Sequence, residues 1–83
     1  MLDKLIEEGE RVKKTCSKDN CIGGEDYEKW IAKCILYMEK EHKGESLTKR
    51  FLEAAERAVN NYESFYDTMM GILKACKEFE NRA

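Results

Sequence analysis

Four cysteines, one histidine and a few paired carboxylates are the side chains of this 83-residue chain whose types could support chemistry. Cys34 and Cys76 fall on apolar stripes, where a thiol behaves as a small buried hydrophobe. Cys16 and Cys21 bracket a loop at Cys-x4-Cys spacing. Zinc knuckles need tight pairs on both sides, and one histidine does not complete them, so no metal site is expected. A Cys16–Cys21 disulfide is disfavoured in a reducing compartment, which leaves four reduced thiols as the expectation. His42 stands near the end of a helical stretch, where a cation meets the negative end of the helix dipole, and a capping role is expected for it. Glu7-Glu8 and Glu39-x-Glu41 lie among lysines at helical spacing and read as solvated pairs. No Ser or Cys has a recognisable base partner, and no Gly-rich loop follows a strand. The expectation is a protein that is not an enzyme and holds no cofactor.

The aromatics carry more information. Trp30, Tyr37, Tyr62, Phe65 and Tyr66 are many for so short a chain, and most are assigned to the core. Tyr37 and Tyr66 lie beside apolar rows instead of within them. They are the candidates for an exposed patch of the kind interface hot spots prefer. Lys49, Arg50 and Arg57 would flank it.

The elements that must position these residues are helices. Proline is absent, charged residues reach 39% and apolar residues 42%, with seventeen acids against fifteen bases. Net charge near −2 offers no cationic surplus for nucleic acid. No run approaches the roughly 18 apolar residues of a membrane span. The acidic, amphipathic start Met1-Leu2-Asp3-Lys4-Leu5-Ile6-Glu7-Glu8 is unlike a signal peptide, so a cytoplasmic protein is expected.

Leu2, Leu5, Ile6, Val12 and Cys16 share one face at helical spacing, with Gly9 among them to allow close approach of another helix. Ser17 to Gly24 reads as a loop. The next helix starts near Glu25 or Asp26 and ends at Lys43-Gly44. Its stripe is Tyr27, Trp30, Ile31, Cys34, Ile35 and Met38. Leu36 and Tyr37 add apolar character on a second side, which predicts a buried central helix.

Ser46 is read as the cap of a further helix. Beyond it Phe51, Ala55, Ala58, Tyr62, Phe65, Met69, Ile72, Cys76 and Phe79 alternate steps of four and three, beside a row of Leu52, Val59, Tyr66 and Leu73. Unbroken phase would give one helix of about 33 residues, roughly 50 Å long. Asn60 and Asn61 are weak helix formers, and Ser64-Phe65-Tyr66-Asp67 resembles a capping box, so a break is favoured. The resulting expectation is an all-α fold. Residues 1–83 would form one compact antiparallel bundle of four helices, the alternative being three helices with a long last one.

Three segments, Leu5-Ile6-Glu7-Glu8-Gly9-Glu10, Tyr27-Glu28-Lys29-Trp30-Ile31-Ala32-Lys33-Cys34 and Met70-Gly71-Ile72-Leu73-Lys74-Ala75-Cys76-Lys77-Glu78, occur in that order. Together they make the chain resemble a small helical domain at the amino terminus of bacterial multidomain proteins, where it precedes an effector domain in stress or phage-defence settings. The resemblance implies an accessory domain for oligomerisation or partner sensing, and no catalytic residue. It departs from that pattern in carrying no effector after Ala83, which fits either a piece of a longer protein or a free-standing relative. The function expected is therefore a non-catalytic protein-interaction or oligomerisation module, its partner a protein or a second copy, with neither nucleic acid nor membrane involved. The alternative is a stand-alone inhibitor of bacterial or phage origin that blocks a host protein.

Overall fold

Helix α1 runs over Leu2–Cys16 because its apolar residues return at intervals of three and four, and Leu2, Leu5, Ile6, Gly9 and Val12 are all buried. Asp3 in its first turn and Lys13 and Lys14 in its last complement the helix dipole. The computed structural model describes residues 1–59 and 61–82, with the side chains of 81 and 82 left aside. Among the described residues four helices account for most of the chain. The others are α2 over Glu25–Glu41, α3 over Ser46–Ala58 and α4 over Glu63–Arg82. A Cα radius of gyration of 12.0 Å matches one compact unit of this length, for which about 12 Å is expected. The all-α bundle is the observed class, and the long last helix is broken.

The segment read as a loop after α1 is instead a hairpin. Strand β1, Ser17–Lys18, pairs antiparallel with β2, Cys21–Ile22, in the register Ser17↔Ile22 and Lys18↔Cys21. Asp19 and Asn20 make the turn, both at positive φ, 54° and 66°. Those values belong to the tight turns whose twist matches paired strands, and Asp and Asn are the non-glycine residues that tolerate them best. A third strand, β3 at Asn61–Tyr62, adds to the other edge of β2 through Cys21↔Tyr62 and Ile22↔Asn61. The break between α3 and α4 is thus held by pairing with the hairpin. The Glu63 N–H continues it by donating to the Asn20 carbonyl at 2.9 Å. Asn60, one half of the asparagine pair expected to mark the break, lies outside the described residues.

Two expected caps fall elsewhere. Ser46 is the first residue of α3, preceded by Glu45 as cap. The hydroxyl of Thr48 closes the corner instead, donating to the His42 carbonyl at 2.5 Å. Helix α4 begins at Glu63, one residue ahead of Ser64. Gly44 does take the left-handed conformation after α2, at φ 81°.

The core is centred on Trp30, fully buried, whose indole N–H donates to the Leu5 carbonyl at 2.7 Å. Tyr27 stacks on one side of it at 5.9 Å between centroids, and Tyr66 leans on it from α4 at 5.6 Å. Gly9 is where these helices come closest. A Cβ there would lie 2.6 Å from Cζ2 of Trp30 and 2.9 Å from Cε of Met70. Phe51, Met38, Met69 and Leu73 fill the rest of the interior. The row extrapolated through the junction fails at two points. Tyr62 is exposed because the strand resets the phase, and Phe79 is exposed near the end of α4, where the neighbouring Glu80, itself exposed, accepts a hydrogen bond from the Tyr37 hydroxyl.

Candidate protein-binding surface

The chemistry-bearing side chains sit in places that quiet them. Cys34 and Cys76 are buried. Burial pushes the Cys34 thiol up to about 12, with Glu8 adding to the shift, and raises Cys76, with Glu80 and Glu45 adding there. A thiol held protonated is a poor nucleophile and a poor metal ligand. Cys16 and Cys21 are half-buried and free at the hairpin. His42 stands at the end of α2 and its backbone N–H, not its ring, donates to the Met38 carbonyl at 2.9 Å. Its ring lies between two carboxylates, Nδ1 3.1 Å from Glu45 and Nε2 3.6 Å from Glu80.

The two tyrosines proposed as an exposed patch are both interior, which overturns that expectation. Tyr37 is 6% exposed and Tyr66 is 4%. Each lies at the margin of its stripe in sequence, but a neighbouring helix closes over it. The Tyr37 hydroxyl reaches across to α4 and donates to Glu80 at 2.6 Å. The Tyr66 hydroxyl donates to the Gly9 carbonyl at 3.0 Å. Burial, reinforced for Tyr37 by the Glu80 carboxylate and for Tyr66 by Glu10, pushes both phenols upward, Tyr66 to about 12. Lys49, Arg50 and Arg57 are exposed on α3. Arg50 and Arg57 border a shallow hollow with Phe65 and Thr68, apart from both tyrosines. The five residues do not form one surface.

Leu36 forms one. Of the second apolar side of α2, expected to be covered as in a central helix, Tyr37 is covered but Leu36 faces solvent, 71% exposed. It borders a trough of about 540 Å³ along the seam between α1 and α2. The α1 side contributes Met1, Lys4, Leu5 and Glu8, and the α2 side Lys33, Leu36, Tyr37 and Lys40. Both sets are spaced i, i+3, i+4, i+7, so each is one face of its helix. The helices run antiparallel, with Glu8 beside Lys33 at 3.2 Å. That register brings Lys4 and Leu5 toward the Tyr37 and Lys40 end. Leu5 and Tyr37, 5% and 6% exposed, make a recessed floor.

The trough continues along the same seam. Glu8 and Lys33 also border a second hollow with Arg11, Lys29 and Asp26. Over its length the seam carries five basic side chains, Lys4, Arg11, Lys29, Lys33 and Lys40, against two carboxylates, Glu8 and Asp26. A chain of net charge −2 therefore concentrates positive charge on one face. Leu36 stood off the stripe in the sequence, and Lys33 and Lys40 flank it one face-repeat apart. The facing row on α1 could be found only from the packing register.

Among the described residues no group of three His, Cys, Asp or Glu side chains is placed to hold a metal ion, and no helix is long and apolar enough to cross a membrane. No protein family, no curated protein and no solved structure matches this chain.

Proposed function

We propose that the chain is a non-catalytic interaction module that captures a protein partner, or a second copy of itself, in the α1–α2 trough. The observation that carries this reading is Leu36, a large aliphatic side chain left 71% exposed beside a concave apolar floor. Leaving it in water forgoes on the order of 2 kcal/mol of burial that a partner could recover. A contiguous apolar patch rimmed by charge is the usual mark of a protein-binding site. The four free thiols favour a reducing compartment such as the cytoplasm. The resemblance to amino-terminal helical domains of bacterial defence and stress proteins favours an accessory role beside an effector domain.

The test is photocross-linking in expressing cells, with Leu36 replaced by a photoreactive leucine analogue. A discrete adduct, to another protein or to a second copy, is expected at position 36 and not when the same analogue replaces the exposed Glu53 of α3. Failure to form a position-specific adduct would remove the trough as an interaction surface.

A further inference from the structure

We propose that the occupant of the α1–α2 trough is an acidic amphipathic helix of a partner protein. Its apolar face would lie on Leu36 and Tyr37 and its carboxylates against Lys4, Lys33 and Lys40. This rests on the reading of the chain as an interaction module and adds the chemistry of what binds.

Charge selects the class of partner. Lys33 already holds Glu8 at 3.2 Å, but among the described residues Lys4, Arg11, Lys29 and Lys40 form no ion pair. Cations grouped beside apolar surface on a net-negative chain steer an acidic segment in and repel a basic one. Shape selects its form. Two antiparallel helices offer a groove into which a third helix packs at about 8–10 Å between axes. The seam runs from Met1 to Thr15, about 21 Å at 1.5 Å per residue, which a helix of about 14 residues would span. A helix laid in a groove is held by apolar anchors at i, i+4 and i+7, and Leu36 with the floor beside it meets such a row. A flat bilayer would not reach the recessed Leu5 and Tyr37, and an apolar floor offers nothing to a phosphate backbone.

The experiment uses the full chain and a fluorescently labelled synthetic peptide of about 14 residues. The peptide has Leu at i, i+4, i+7 and i+11, Glu on both flanks and Ala elsewhere. A second peptide replaces every Glu by Gln. The Glu peptide is expected to bind at least about tenfold more tightly, and to weaken as NaCl rises from about 50 to about 300 mM. Amide shifts should fall on residues 4, 5, 8, 33, 36, 37 and 40. Leu36→Ser should weaken binding about tenfold with an unchanged melting temperature, since the side chain is exposed. The pair Lys4→Glu and Lys40→Glu should abolish binding of the Glu peptide and accept one bearing Lys in its place.

Equal binding of the Glu and Gln peptides, shifts mapping elsewhere, or binding confined to vesicles containing phosphatidylglycerol would overturn the proposal. So would a dimer through Leu36 that the Glu peptide does not displace. An adduct at position 36 in cells without binding of the Glu peptide rejects the acidic helix and leaves the module standing. Absence of both rejects both.

Discussion

Gly9 is the residue on which α1, α2 and α4 converge, and its single hydrogen side chain sets how close they come. A Cβ at 2.6 Å from the Trp30 ring needs that ring to move, yet the indole is fully buried and tethered to the Leu5 carbonyl. Met70, the other neighbour, is flexible and could yield. Gly9→Ala gains about 1 kcal/mol of helix propensity but overpacks the core at a cost of about 1–3 kcal/mol. The expected outcome is net destabilisation, read as a melting temperature lower by several degrees. An unchanged or raised melting temperature would show that the three helices meet more loosely at this point. The thiols make a second prediction at this scale. Cys16 and Cys21 should react with a disulfide reagent in the native protein, whereas Cys34 and Cys76 should wait for denaturant. Four fast thiols in the native state would contradict the burial of the last two.

At the scale of elements, the short sheet adds backbone pairing between parts of the chain that the helices already bring together. It ties the end of α1 to the junction of α3 and α4, and its turn depends on two residues at positive φ. A β-branched residue is strained there by about 1–2 kcal/mol, and glycine is not. Asn20→Val should therefore lower the urea midpoint, and Asn20→Gly should be more stable than the valine variant by at least about 1 kcal/mol of unfolding free energy. Amide exchange at Cys21 and Ile22 should quicken in the valine variant alone. Equal midpoints for the two would mean that the turn conformation contributes nothing to stability. The four helices were legible because a period of three and four, repeated over several turns, writes itself into residue type. The strands were not, since two-residue strands are too short to show alternation, and Asp19-Asn20 was the one signal present. The same limit explains the site. The margin of a stripe does not say whether a neighbour closes over it, so Tyr37 and Tyr66 read as exposed although α4 and α1 cover them. Leu36 was visible as an outlier, but its facing row on α1 is fixed by antiparallel register and by no local pattern.

At the scale of the whole molecule, the interior is held by groups that must stay protonated. Burial raises Cys34 to about 12 and Tyr66 to about 12, and it raises Tyr27, Tyr37 and Cys76 as well. Each of these groups is neutral when protonated, and its folded-state value lies above that of the unfolded chain. The unfolded chain therefore releases protons first, from cysteine near 9.0 and tyrosine near 10.0, while the fold still holds them. Stability from these groups is fully present below about pH 9 and is lost as pH climbs toward about 12, by about 1.4 kcal/mol per pH unit for each group in its window. A domain of this size holds on the order of 5 kcal/mol or somewhat more, so several groups acting together suffice to unfold it before the buried phenols titrate in place. Helical circular dichroism against urea should give a flat midpoint from about pH 7 to about pH 9 and a steep fall beyond it. In a Tyr62→Phe background, which removes the one exposed phenol among the described residues, tyrosinate absorbance should rise in the same narrow span as helix is lost, in place of a gradual titration. Smooth tyrosine ionisation near 10 in that background with the helices intact would mean that the phenols of Tyr27, Tyr37 and Tyr66 are reached by water. The closed core on which the α1–α2 trough is built would then be open.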